Sequence, residues 1–215
     1  MAKKLDEPQE RGDFFKSLGT LFAGFLANRI EEAVTGLGPK LLRPPGALGE
    51  FEFLTKCTRC DKCMKVCPEN AIFRAGPNAG LALGTPYIEP RSVPCFLCTT
   101  LPCIAVCEDE ALVWPRLILP DGTSLDGPRA VRMGTAQVKS GSCLTWGTLD
   151  HEGQACRICV DRCPYPEEAL HIAALAEGES VGHPVVDAEV CTGCGLCVFA
   201  CPTEPAAIFI EPRRD

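Results

Sequence analysis

The chain has 215 residues, 46% of them hydrophobic, with 28 acidic against 21 basic side chains and a formal net charge of −7. That composition suits a folded chain of one compact domain or two small ones and excludes a disordered tail. No basic stripe exists to neutralise phosphates, which excludes nucleic acid as a partner.

In chain order, the first question is the apolar segment near the start. It falls short of the ~20 residues a membrane-spanning helix needs, and its best run, Leu18 to Leu26, is interrupted by Gly19, Thr20 and Gly24. Arg11-Gly12-Asp13-Phe14-Phe15-Lys16 resembles a twin-arginine export motif with its second arginine replaced by glycine. Asn28-Arg29-Ile30-Glu31-Glu32 stands where a small-residue cleavage site would follow. The segment is expected to be retained and the protein to be cytoplasmic; periplasmic twin-arginine export is the alternative. Between Asp13 and Val34, Phe14, Leu18, Leu21, Phe22, Phe25, Ile30 and Ala33 recur at helical spacing, which predicts one amphipathic helix stopped by Gly36-Leu37-Gly38-Pro39. Its stripe either covers the protein's own core or, over 13–35, docks on a partner; peripheral contact with a membrane complex is a further use. Arg43-Pro44-Pro45-Gly46 reads as a stiff linker, so residues 1–46 precede a body at 47–215.

From Phe51 onward one plan repeats four times: an extended segment, a cysteine loop opening a short helix, and another extended segment. The flanks are Phe51 to Thr55 and Ala71 to Arg74, then Thr85 to Glu89 and Ala111 to Trp114. The third copy has Ala130 to Val138 and Ala169 to Ile172, and the fourth His183 to Val190 and Ala206 to Ile210. Each unit is too small to bury a core alone, so the copies must pack together. An insertion at about 115–130 separates the second and third copies; in it, Asp121-Gly122 favours a tight turn between extended arms, Leu117 to Leu125. It reads as a connecting loop, a cluster shield or a contact surface.

The sixteen cysteines fall into four groups of four. The first, Cys57-x2-Cys60-x2-Cys63-x3-Cys67-Pro68, and the fourth, Cys191-x2-Cys194-x2-Cys197-x3-Cys201-Pro202, match the C-x2-C-x2-C-x3-C-P run of bacterial two-cluster ferredoxins. A cubane offers four iron corners, and a tight loop with two-residue intervals can point thiolates at three of them. A cysteine after a further three-residue gap, already on a helical turn, points away towards a neighbouring cluster. The second group, Cys95-x2-Cys98-x4-Cys103-x3-Cys107, lengthens one interval and has Glu108 where proline is expected. The third, Cys143-x12-Cys156-x2-Cys159-x3-Cys163-Pro164, carries an insertion after its first ligand. All sixteen are thereby candidate iron ligands for four 4Fe–4S clusters, with none left over as a nucleophile. Zinc closes with two C-x2-C knuckles and needs no third cysteine, disulfides do not explain the repeat, and a degenerate variant group would leave fewer clusters.

With the four groups in this order, Arg132-Met133-Gly134 before the third, Cys143-Leu144-Thr145-Trp146 at its start, and Pro94-Cys95 and Pro102-Cys103 in the second, the body from about Phe51 to Ile210 resembles the MauM/NapG type of ferredoxin. The resemblance implies an α+β, tandem two-cluster ferredoxin-like (poly-ferredoxin) body behind the N-terminal amphipathic helix. It also implies four 4Fe–4S clusters and the relay of electrons from a quinol-linked membrane partner towards a terminal reductase. Similarity to related four-cluster subunits implies that the first and fourth groups pair, with Cys57, Cys60, Cys63 and Cys201 around one cluster and Cys191, Cys194, Cys197 and Cys67 around its neighbour, and that the second and third groups pair. Pairing of adjacent groups satisfies every thiolate equally well.

None of the three histidines, His151, His171 and His183, falls at a ligand position, and Trp114 and Trp146 read as cluster shields. Coordination saturated by thiolates leaves no open iron site for substrate, and neither a phosphate-binding glycine loop nor a catalytic residue is found. The expectation is therefore an electron carrier or electron-transfer subunit working with redox protein partners, not an enzyme in itself. The alternatives are a maturation factor delivering clusters or electrons, or the iron–sulfur subunit of a larger oxidoreductase.

Overall fold

The computed structural model describes residues 39–146, 156–173 and 182–213. The helix expected over 13–35 and the loop containing His151 lie outside them.

The first element departs from expectation. Phe51 to Thr55 reads as the extended segment that opens the first copy of the repeat, yet Glu50–Lys56 is a helix, α1. Glu50 and Glu52 sit in its first turn and Lys56 in its last, which complements the helix dipole. Helical geometry separates the two phenylalanines: Phe53 is wholly buried, while Phe51 is 45% exposed. Tertiary burial of one ring, worth ~2–3 kcal/mol, overrides the local pattern.

The stretch preceding α1 is built into the body. Leu42, Pro44 and Pro45 are buried. Arg43, itself buried, donates to Glu50 at 2.9 and 2.5 Å, to Thr85 Oγ1 at 2.8 Å and to the Pro86 carbonyl at 2.9 Å. Its guanidinium lies 4.7 Å from the Phe53 ring centroid.

Two modules of one design follow. In the first, α2 (Lys62–Val66) leads to β1 (Ile72–Arg74), which pairs antiparallel with β2 (Pro86–Ile88), Ile72 opposite Ile88. α3 (Pro102–Ala105) then packs on α2. The two ends of this module are joined: Val113 donates to the Gly46 carbonyl at 2.8 Å and Leu48 to that of Ala111 at 3.3 Å, around the bridge Ala47 to Leu112. The insertion forms the expected hairpin, β3 (Arg116–Ile118) and β4 (Ser124–Asp126), with Gly122 at φ 85° in its turn and Asp121 accepting from Thr123. Trp114 donates to Asp126 at 2.6 Å and packs beside Gly127.

The second module repeats the plan with a fuller outer pair. β5 (Gly134–Val138) lies antiparallel to β8 (Ile208–Pro212), enclosing α4 (Ile158–Asp161), the inner pair β6 (Leu170–Ile172) and β7 (Pro184–Val186), and α5 (Leu196–Ala200). α4 packs on α5. Val160, Leu170, Val198 and Ile208 form its core. The core of the first module, around Phe53, Ile88, Leu101 and Leu112, also takes in Val131, Met133 and Cys194, so one apolar cluster spans both modules.

Candidate metal centres

In three groups the cysteine loop turns its thiols inward by the same backbone device. The residue two after the first cysteine and the residue two before the third adopt positive φ: Arg59 and Asp61, Leu97 and Leu101, Gly193 and Gly195. Four of the six are not glycine, so the loop accepts an unfavourable backbone region to wrap around a centre. In the second group the device survives the longer interval, which is why the altered spacing still delivers its cysteines.

Four cavities of about 350 to 400 Å³ result, each lined by four cysteines. Cys57, Cys60, Cys63 and Cys107 line the first, and Cys67, Cys95, Cys98 and Cys103 the second. Cys163, Cys191, Cys194 and Cys197 line the third, and Cys143, Cys156, Cys159 and Cys201 the fourth. This corrects the pairing implied by similarity to other four-cluster subunits. Cys107, not Cys201, completes the first cavity, and Cys163, not Cys67, completes the third. Adjacent groups pair because a short antiparallel pair, β1–β2 or β6–β7, folds each group back on the next, and α2 packs on α3 as α4 does on α5. Each helix thus serves two cavities: Cys63 lies in the first turn of α2 with Cys67 at its C-cap, and Cys197 lies in the first turn of α5 with Cys201 at its C-cap.

The second and third cavities meet at the module junction, where the Cys95 N–H donates to the Cys194 carbonyl at 2.9 Å. Gly195 is forced there, since with φ at 85° a Cβ would lie 2.5 Å from Pro90 Cβ. The cavities therefore run in series in the order given.

The donor sets fit a polynuclear cluster. All sixteen cysteines are free of disulfides. Four thiols spaced around a cavity match the corners of a cubane. N–H and O–H donors reach several sulfurs: Ala71 N to Cys67 Sγ at 3.4 Å, Ala136 N to Cys191 Sγ at 3.5 Å, and Thr203 Oγ1 at 3.2 Å from Cys201 Sγ.

Burial, reinforced by neighbouring sulfurs, pushes the Cys63 and Cys95 thiols up to about 12 and those of Cys103, Cys159 and Cys194 to about 11. Cys197 rises well above its ordinary value for the same reason. Cys201 goes the other way: burial raises it, but hydrogen bonds from Thr203 and from the Ala207 and Ile208 backbone outweigh that and lower it. Buried neutral thiols exchange their protons for metal, so loading releases protons.

Neither tryptophan lines any of these four cavities. Trp114 anchors the insertion hairpin, and Trp146 stacks on His183, ring centroids 4.1 Å apart. Both side chains answer to local packing rather than to the cysteines. His171 lies in β6 opposite Val185. Sequence reasoning missed Arg59, which donates to the Leu83 carbonyl at 2.9 Å and ties the first cysteine loop to the 77–82 turn. It also missed Arg91, a surface-type residue with no motif around it.

Models of the 4Fe–4S binding domain match residues 53–73 and 182–203, the spans that hold the two regular cysteine groups. The chain is 35% identical to the methylamine utilization ferredoxin-type protein MauM of Methylorubrum extorquens, over 91% of this chain and 83% of that one. It is 34% identical to MauM of Methylophilus methylotrophus, over 100% and 91% of the two chains. To the ferredoxin-type protein NapG of Escherichia coli it is 31% identical, over 93% and 83%. The chain belongs to the MauM/NapG family of ferredoxin-type iron–sulfur electron-transfer proteins.

Proposed function

We propose that the protein relays electrons through four 4Fe–4S clusters, held by the sixteen cysteines in the four sets above, between a donor and a partner oxidoreductase. The observation that carries this reading is the series of four cavities, each with four cysteines contributed by two groups. When bound, a cubane in each would accept and return single electrons. The chain's own part is to supply four thiolates per cavity, to keep water away with side chains such as Phe53, Leu101 and Leu170, and to tune each site through N–H and O–H contacts to sulfur.

The relatives named as methylamine utilization ferredoxin-type proteins support an electron-transfer role; the reading takes the donor to be quinol-linked and the activity to reside in the partner. Leu42, Arg43, Pro44 and Pro45 pack into the body, so the reading moves the boundary expected at 46 ahead of them and assigns the partner-docking role to residues 13–35, which lie outside the described residues. Among the described residues no helix is long and apolar enough to cross a membrane. With glycine at position 12 of the export-like motif, the reading keeps the protein in the cytoplasm; recovery from the periplasmic fraction would overturn that part.

Iron and acid-labile sulfide analysis of anaerobically purified protein, with EPR of the reduced form, tests the relay. About sixteen irons per chain with reversible reduction is the expected result. Zinc in place of iron, or ready loss of the clusters to an apo-enzyme, would refute it, the second in favour of a delivery factor.

A further inference from the structure

Arg91 belongs to the first module, in the loop between β2 and Cys95, yet its guanidinium hydrogen-bonds to the second. Nη1 donates to the carbonyls of Val198 at 3.0 Å, Phe199 at 3.4 Å and Cys201 at 2.8 Å. Nη2 donates to the Thr203 carbonyl at 3.1 Å and to Glu204 at 2.8 Å. These acceptors lie in the last turn of α5 and the loop that follows; the Val198 carbonyl also accepts the Cys201 N–H at 3.3 Å, and the carbonyls after it lie beyond the helical ladder. That loop brings Cys201 to the fourth cavity, and Thr203 within it contacts the Cys201 sulfur.

A cation that fans onto a helix C-terminus satisfies orphan acceptors and opposes the negative end of the dipole. Here it also fixes the backbone of a ligand-bearing residue from outside that residue's own module. Its charge sits one carbonyl from Cys201. The counter-charge, Glu204, is 83% exposed while Arg91 is 36% exposed, so solvent screens the carboxylate more than the guanidinium.

We infer that Arg91 is a positioning residue acting across the modules: it holds the Cys201 loop in place and supplies a positive charge that raises the reduction potential of the site formed by Cys143, Cys156, Cys159 and Cys201. Added positive charge favours the reduced, more negative form of a cluster. The inference rests on the four-cluster reading above. The two fail separately, because that reading falls on the iron content of the unaltered protein and this one on a single site of a fully loaded protein.

The test is an EPR-monitored redox titration of the full-length holoprotein, in which Cys201→Ser first marks the spectral component belonging to this site. Arg91→Gln is expected to shift the midpoint of that component to lower potential and leave the other three in place. Arg91→Lys should recover most of the shift, and Glu204→Gln, which retains the arginine, should move the same component upward by a smaller amount. If Arg91→Gln does not retain its clusters, the lysine and Glu204 variants carry the test. An unmoved midpoint in Arg91→Gln, an Arg91→Lys shift as large as that of Arg91→Gln, or a Glu204→Gln midpoint identical to wild type would overturn the assignment.

Discussion

The pairing of the cysteine groups can be tested by pairs of substitutions. Cys57 and Cys107 line one cavity, whereas Cys57 and Cys201 line two that stand at opposite ends of the series. Removing two ligands from one site damages one cluster, and removing one from each of two sites damages two; the double variants differ although each loses two thiols. Cys57→Ala with Cys107→Ala should therefore leave three clusters with native spectra, and iron should fall from about sixteen to about twelve per chain. Cys57→Ala with Cys201→Ala should leave only two native clusters. The effects of the first pair are strongly non-additive, because the second loss strikes a site already broken, and those of the second pair are additive. Iron analysis and EPR of the three single and two double variants decide it. Two perturbed clusters in the Cys57/Cys107 variant and one in the Cys57/Cys201 variant would refute adjacent pairing and restore the pairing of first with fourth.

Phe53→Ala removes a wholly buried ring that also lines the first cavity. It should cost ~3–5 kcal/mol, seen as a lower melting temperature of the holoprotein with bleaching of one cluster first. Gly195→Ala places a Cβ 2.5 Å from Pro90 at a φ of 85°. Backbone strain and overpacking together predict a loss of about 2 to 4 kcal/mol by denaturant titration, and a wild-type midpoint would contradict the close junction. For the iron-free protein, Cys63 and Cys95 are held neutral in the fold, with pKa values of about 12 against an ordinary 9.0. The sign follows: the fold favours the protonated thiol, so this contribution is fully present below pH 9.0 and is lost as pH climbs towards 12. Urea midpoints should fall steadily above pH 9, and midpoints that stay level would show that the thiols are not buried.

The sequence by itself determined the four cysteine groups, because metal-ligand spacing is a local property written in a dozen residues at a time. It likewise determined the insertion hairpin at Asp121-Gly122 and the extended segments that became β1, β2, β5, β6, β7 and β8. What followed from local pattern alone misled where a single buried side chain outweighed it, as at Phe53 in α1. Trp114 and Trp146 gave no sign of their positions, since an aromatic beside a cysteine group in sequence can equally face a hairpin or a histidine.

Only the tertiary structure decided which cysteines share a cavity. Every pairing of groups supplies four thiols per site, so spacing carries no information on the choice. It is settled by which helices pack, α2 on α3 and α4 on α5, and by the short strand pairs that fold each group onto its neighbour. The same holds for the junction. Cys95 and Cys194 are 99 residues apart in the chain, and Arg91 reaches acceptors more than 100 positions away. Contacts of that range arise from packing two modules around one apolar cluster, and no local pattern in the sequence encodes them.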